Sequence, residues 1–217
     1  MVDFERARKA MVDNQLRTSN VTDRRILNAM LSVPREDFVP ASRRALAYID
    51  EVHDLGHGRA MPAPAPFAKL VQLAGIEPTD AVLDLGTGLG YSTAVLAQLA
   101  HEVVGVESDP ALAAQATKAL SAAGVSNAEI VVSDLVDVRP HATGFDVIVL
   151  EGAVNDVPPT LFKLLRDGGR LVALIRRGPA AVAHIFLKSG ETVNSRAEFN
   201  ASLPLLSVAK AADEFVF

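Results

Sequence analysis

The chain is 217 residues long, 49% hydrophobic and 22% charged, a balance that excludes a disordered polymer and suits one soluble α/β domain with a small appendage. Its 21 Lys plus Arg stand against 26 Asp plus Glu, and the net charge of -5 offers no global attraction to nucleic acid or an anionic membrane. With no Cys, disulfides, zinc knuckles and thiol nucleophiles are excluded together.

The opening MVDFERARKA carries charges where a secretory signal needs an apolar core, and no run approaches the roughly 20 apolar residues of a membrane span, so a cytoplasmic location is expected. Thr22 and Asp23 form a helix start, Ile26, Leu27, Met30 and Leu31 share a face, and Pro34 ends the helix. Residues 56 to 66, GHGRAMPAPAP, hold two Gly and three Pro, which predict a stiff, extended connector in place of a helix or ladder strand. Residues 57 to 62 of that connector are the candidate substrate lid.

From about residue 80, short β-branched runs alternate with Ala- and Leu-rich helical stretches. AVLDLG (81 to 86), EVVGVES (102 to 108), AEIVVSD (128 to 134), FDVIVLEG (145 to 152) and GRLVALI (169 to 175) read as strands. Their near-continuous apolarity predicts a parallel sheet buried on both faces, the pattern of a Rossmann-like doubly wound α/β fold. Pro110 behind Asp109 opens a helix that Gly124 closes. Beyond 178, PAAVAHIFLKSG fits a helix or a strand, while RAEFNASLPLL and DEFVF suggest sheet-edge strands. The organisation expected is a helical cap with substrate loop over 1–78 and a cofactor-binding domain over 79–217.

The strongest chemical signal is Asp84-Leu85-Gly86-Thr87-Gly88-Leu89-Gly90 at the end of the first of these strands, followed by the helix YSTAVLAQLA. Glycines there let a ligand approach the backbone and permit positive φ. The spacing is GxGxG, not the dinucleotide GxGxxG, and Asp84 would repel a pyrophosphate but attract the ammonium and sulfonium of S-adenosylmethionine. Glu107 lies 21 positions past Gly86, at the end of the second strand, where a carboxylate accepts from ribose hydroxyls; Ser108 adjoins it. Asp134, beside Ser133 at the next strand end, suits the adenine edge. NAD or NADP is the competing reading, but it wants the third Gly one position later and, for NADP, an Arg after the second strand.

The segment MVDNQLRTSNVTDRRILNAMLSVPREDFVP (11 to 40) resembles the N-terminal signature of protein-L-isoaspartate O-methyltransferases. Ala47 to Asp50, Leu55 to Gly58, VLDLGTGLGYSTAVLA, FDVIVLEGA and LLRDGGRLV continue the resemblance in register to about 175. It implies a seven-stranded sheet with an N-terminal helical cap. It also implies methyl transfer from S-adenosylmethionine to the carboxylate of an isoaspartyl residue in a damaged protein or peptide, with S-adenosylhomocysteine as product. The chain departs from the pattern in two places. After Gly58 the family has Gln-Thr-Ile-Ser-Gln-Pro, whereas this chain has Arg59-Ala60-Met61-Pro62-Ala63-Pro64, so both the Thr and the Ser hydroxyls are lost and Pro62 stands where the family's Ser is expected. Glu151 replaces an uncharged residue, and an ionised carboxylate there would repel an anionic substrate by roughly 1 to 4 kcal/mol at about 4 Å.

The chemistry tolerates the lost hydroxyls. A substrate carboxyl with a reference pKa near about 4 is already an ionised nucleophile at neutral pH, and positioning alone supplies about 7 to 11 kcal/mol of a barrier. Intact cofactor binding with reduced or redirected repair is therefore expected. Other readings are an acceptor that is an amine or small molecule, held by Glu151, Asn155 or Asp156, and a non-catalytic cofactor-binding module. Asn155 and Asp156 equally suit the cap of a helix starting near Val157. His57 and Arg59 in the lid are candidate substrate contacts, Arg59 as a bidentate partner for a carboxylate or as a solvated loop charge. Arg176 and Arg177 follow the fifth strand on the ligand side. The five His are scattered without metal-ligand spacing, so no metal is expected, and the partner is a protein or peptide met by a monomer or weak dimer.

Overall fold

The computed structural model describes residues 2–178 and 180–206. Helix α1 (Phe4–Met11) is capped by Asp3, which accepts from the Arg6 amide at 3.0 Å, and runs through one π-turn and a 3-10 turn to Asn20 at φ 63. Helix α2 (Arg24–Ser32) starts on Asp23, which accepts from the Arg25 amide at 2.8 Å, and buries Ile26, Leu27 and Met30 as their spacing predicts. It ends before Pro34, and 3-10 turns over Arg35–Asp37 and Ala41–Leu46 follow.

The Gly- and Pro-rich segment is not an extended connector. β1 (His53–Gly56) and β2 (Arg59–Met61) form an antiparallel hairpin, with His53 opposite Met61, and α3 (Pro64–Ala74) begins immediately afterwards. The composition misleads because position decides what a proline does: Pro64 and Pro66 lie in the first helical turn, where the missing N–H is no loss. Gly56, His57 and Gly58, at φ 79, 54 and 71, make the hairpin turn.

The main sheet then follows in chain order: β3 (Ala81–Leu85), α4 (Tyr91–Ala97), β4 (Glu102–Glu107), α5 (Pro110–Ala122), β5 (Ala128–Val132), β6 (Phe145–Val154), α6 (Pro159–Leu164), β7 (Leu165–Arg177), β8 (Ala180–Ser189) and β9 (Thr192–Ala201). Asp109 caps α5 by accepting from the amides of Ala111 and Leu112. The seven strands lie in the order β5-β4-β3-β6-β7-β8-β9, parallel from β5 to β7 and antiparallel beyond. Residues 180–189 of PAAVAHIFLKSG are thus a strand, with Ala181, Ala183 and Ile185 buried, and RAEFNA lies in edge strand β9 while SLPLL runs on beyond it; DEFVF lies outside the described residues. One face of the sheet, with Leu83, Ile148 and Leu150, packs on Leu161 of α6. The other, with Val82, Val147 and Val149, shares a continuous core with Phe67 and Val71 of α3, Leu96 of α4, and Met11, Leu16 and Met30 of the N-terminal cap.

The chain runs outward from β3 to β4 and β5, then returns to β6 on the other side of β3. This reversal opens a crevice at the carboxyl end of β3, the usual ligand position in a doubly wound sheet. Residues 203–206 come back to the same place: the Ala153 amide donates to the Pro204 carbonyl at 3.0 Å and the Leu206 amide to the Ala153 carbonyl at 2.7 Å.

Candidate active site

β3 delivers Asp84, fully buried, to the floor of this crevice. Its Oδ2 accepts from Ser92 Oγ at 2.7 Å and Thr93 Oγ1 at 2.6 Å, both in the first turn of α4, while Oδ1 is buried without a partner. Burial pushes its carboxyl up to about 6, against the pull of the two hydroxyls; the negative Glu107 adds to the rise. The glycine loop behaves as its spacing predicts, with Gly86, Gly88 and Gly90 all at positive φ. The amides of Gly86 and Thr87 are tied to the Val106 carbonyl, which holds the loop against β4.

Glu107, also buried, ends β4. It accepts from the amides of Gly88 at 2.9 Å and Asp109 at 3.0 Å. Arg59 Nε lies 3.0 Å from each of its carboxylate oxygens, and Arg59 Nη2 donates to Ser108 Oγ at 2.6 Å. Arg59 is therefore neither a solvated loop charge nor an open partner for a substrate carboxylate. The hairpin carries it into the position expected to receive ribose hydroxyls. His57 stays exposed at the turn, its Nδ1 2.6 Å from Asp109 Oδ2, and anchors the hairpin to the start of α5.

Two leucines complete the closure. A Cβ on Gly86 would come within 2.8 Å of Leu206 Cδ1, and one on Gly88 within 2.6 Å of Leu55 Cδ1. The space the glycines leave is filled by the chain itself. What remains above the loop is a cavity of about 10 Å³ lined by Pro62, Thr87, Tyr91, Ser92 and Glu151 among others, about the room one water needs.

Glu151 enters from β6, 5% exposed, with neither carboxylate oxygen partnered. Burial pushes its carboxyl well above the usual range, and the neighbouring Asp84 adds to this. Among the described residues, nine buried side-chain polar atoms lack partners, and five belong to this cluster: Asp84 Oδ1, Thr87 Oγ1, Tyr91 OH and both oxygens of Glu151. Such atoms are rare in folded proteins, so their concentration at one crevice marks a place where water or a polar ligand completes the hydrogen bonding.

The structure thus brings Asp84, Glu107 and Glu151 together, whereas Asp134 stands exposed after β5. Ser133 is tied locally, its amide to the Glu107 carbonyl and its hydroxyl to the Asp137 carbonyl. Arg176 donates to the Gly178 carbonyl, Arg177 is exposed, and neither lines the cavity. Asp156 accepts from the next amide, that of Val157; α6 starts at Pro159 with no side-chain cap, so the cap expected near Val157 is absent. Leu55, Tyr91, Ser92, Thr93 and Leu206 were not singled out by sequence. Ser92-Thr93 after the glycine loop was the one local signal available; Leu206 had none.

A model of the protein-L-isoaspartate(D-aspartate) O-methyltransferase family matches residues 6–206. The protein-L-isoaspartate O-methyltransferase of Opitutus terrae is 37% identical over 206 residues, 93% of this chain and 87% of that relative. The namesake from Koribacter versatilis is 38% identical over 172 residues, 79% and 78% of the two chains. This chain belongs to that family. A solved structure from Plasmodium falciparum, described as a protein-L-isoaspartate O-methyltransferase in complex with S-adenosyl-L-homocysteine, superposes with a TM-score of 0.79 at 22% identity. It covers 93% of this chain and 99% of its own, and it shares the fold. Within this chain, the family signature segment around Arg35 has a physical role. Arg35, fully buried, donates to the carbonyls of Ala47 at 2.8 Å and Pro62 at 2.6 Å and stacks 4.8 Å from the Tyr91 ring. It ties the cap and lid to the helix that follows the glycine loop.

Proposed function

We propose that the protein is an S-adenosylmethionine-dependent carboxyl O-methyltransferase whose acceptor is an isoaspartyl carboxylate of a damaged protein or peptide. The observation that carries this reading is the cluster of unpartnered buried polar atoms around the glycine loop, in a chain of this family. The donor's amino-acid end fits the residues present: Asp84 Oδ1 and Thr87 Oγ1 are free to accept from an ammonium. Glu107 suits the ribose hydroxyls once Arg59 withdraws from it, and Ser133 and Asp134 lie at the next strand end for the adenine side. When bound, the donor supplies a methyl group on a sulfonium, so a carboxylate oxygen–carbon bond forms as the carbon–sulfur bond breaks, the sulfur keeps the electron pair, and no proton moves.

The protein's own part is to neutralise, orient and exclude water. Asp84 and Glu107 provide negative charge for a cationic ligand, and in the closed crevice Leu55, Leu206 and Tyr91 leave room for about one water. The cysteine-free composition supports a reducing, cytoplasmic setting, and we read the protein as a monomer or weak dimer that meets its macromolecular substrate there. No helix among the described residues is long and apolar enough to cross a membrane. The test is calorimetry with S-adenosylmethionine and S-adenosylhomocysteine, followed by transfer of labelled methyl to an isoaspartyl peptide, the normal peptide and a panel of amines. Heat with the donor and label on the isoaspartyl peptide alone is expected; the absence of heat with either compound removes the reading.

A further inference from the structure

Glu151 poses a question that the donor does not answer. It separates two small cavities: one lined by Pro62, Thr87, Tyr91 and Ser92, the other by Arg59, Ala60 and Leu203 to Leu206. Most strong donors around it are already committed, and the two hydroxyls left over, Thr87 Oγ1 and Tyr91 OH, make no hydrogen bond with it. Ser92 and Thr93 give their hydroxyl protons to Asp84, Arg59 gives its Nε and Nη2 hydrogens to Glu107 and Ser108, and Arg35 gives Nε and Nη2 hydrogens to two carbonyls. Pro62 has no N–H to offer.

An ionised Glu151 would therefore be a buried anion facing Asp84 with no donor or cation in contact, an arrangement that two carboxylates resolve by keeping a proton. Asp84 has two hydroxyls to stabilise its charge and Glu151 has none, so the proton belongs on Glu151. The charged and titratable groups around it among the described residues are Asp84 from β3, Arg59 from β2 with its partner Glu107 from β4, Tyr91 from α4 and, behind Pro62 and the Tyr91 ring, the buried Arg35. Protonated, Glu151 changes from a repulsive wall into an O–H donor at the point where the lid leaves a donor missing, and the repulsion of an anionic substrate expected from its sequence position does not arise.

We propose that Glu151 is the acceptor-binding residue of this chain: as a neutral carboxylic acid it donates a hydrogen bond to one oxygen of the substrate carboxylate and leaves the other oxygen free to attack. A hydrogen bond from O–H to a carboxylate is among the strong, short ones, and it orients the nucleophile without moving a proton. Glu151 keeps its proton through the reaction, because the electron pair that forms the new bond comes from the carboxylate and the pair from the broken bond stays on sulfur. The proposal rests on the carboxyl-methyltransferase reading and names its acceptor contact.

The test uses the full chain and the variants Glu151→Gln and Glu151→Ala. Isoaspartyl-peptide binding is measured by calorimetry with saturating S-adenosylhomocysteine, and methyl transfer is followed between pH 5.5 and 9. For the wild type, peptide affinity falls toward a slope of about tenfold per pH unit once Glu151 loses its proton. Glu151→Gln, which keeps a neutral donor at every pH, stays within about threefold of the wild type at neutral pH and lacks that alkaline fall. Glu151→Ala weakens binding by about tenfold or more at all pH values, a loss carried by KM more than by kcat. Inactivity of Glu151→Gln with methyl transfer to amines in the wild type would overturn the proposal in favour of a base that accepts protons from the nucleophile.

An infrared titration of the wild type decides the protonation independently of activity or variant folding. A protonated-carboxyl band at neutral pH that Glu151→Gln removes is expected, and its absence from the wild type rejects the idea. If neither donor compound gives heat, the methyltransferase reading fails. The infrared band and peptide binding without donor still decide Glu151 in that case.

Discussion

Replacing Arg59 with Met separates two roles of one side chain. In the closed crevice, Arg59 and Glu107 form a buried pair, 7% and 0% exposed, with Nε 3.0 Å from both oxygens. Deleting one partner of such a pair costs a fold about 3 to 5 kcal/mol, because a charge is left uncompensated. Here the cost falls toward the lower end, because the Gly88 and Asp109 amides still hold the carboxylate. Donor binding should move the opposite way. Ribose hydroxyls must displace Arg59 from the same oxygens, so removing it frees the acceptor in advance, and a recovery of even about 1.4 kcal/mol appears as a tenfold tighter Kd. The expected result for Arg59→Met is therefore a lower Tm without ligand, a larger ligand-induced rise in Tm, and at least about tenfold tighter binding of S-adenosylhomocysteine by calorimetry. Unchanged or weaker binding by a folded Arg59→Met would refute the competition, and would mean that Arg59 stays beside the bound ligand as part of its site.

Three further outcomes follow from the same geometry. Asp84 titrates at about 6 in the folded chain against 3.8 ordinarily, so the folded state holds this proton more tightly. Its contribution is most favourable below about pH 4, declines as pH rises toward 6 and is lower by about 3 kcal/mol above that; Asp84→Asn should remove this decline and be more stable at pH 7.5 in chemical denaturation, while losing donor binding. Leu206→Ala, at a position 5% exposed and packed on Gly86, should cost about 2 to 5 kcal/mol of stability at most yet tighten donor binding several-fold by calorimetry. Arg35→Met removes the links to Ala47 and Pro62, and should lower stability by about 1 to 3 kcal/mol in denaturant titrations and raise proteolytic cleavage in residues 53–62.

What could be read along the chain is what depends on near neighbours. Asp23 and Asp109 announced helix starts because a cap acts on amides two or three positions away. Strands β3 and β6 announced themselves because burial on both faces demands continuous apolarity, and the positive φ of Gly86, Gly88 and Gly90 favours glycine; β5 was expected to be buried in the same way but leaves Val131 and Val132 exposed, because it lies at the edge of the sheet. The hairpin at 53–61 was missed because counting prolines ignores where each falls relative to a helix start, and β8 stayed ambiguous because its apolar spacing fitted either a helix or a strand until β7 supplied a partner.

The occupancy of the crevice had no local signature. Arg59 meets Glu107 across 48 positions, and Leu206 meets Gly86 from the far end of the described chain. Glu151 stood out in sequence as a charge in an unusual place, but only the approach of β6 to β3 buries it beside Asp84 and deprives it of partners. Propensity and capping act over a few residues, whereas the protonation of a carboxylate depends on the dielectric and charges that distant segments bring around it. The glycine loop and its first two acids were therefore written in the order of residues; the identity of the third acid, its proton and the closure by Arg59 arose where separated strands converge.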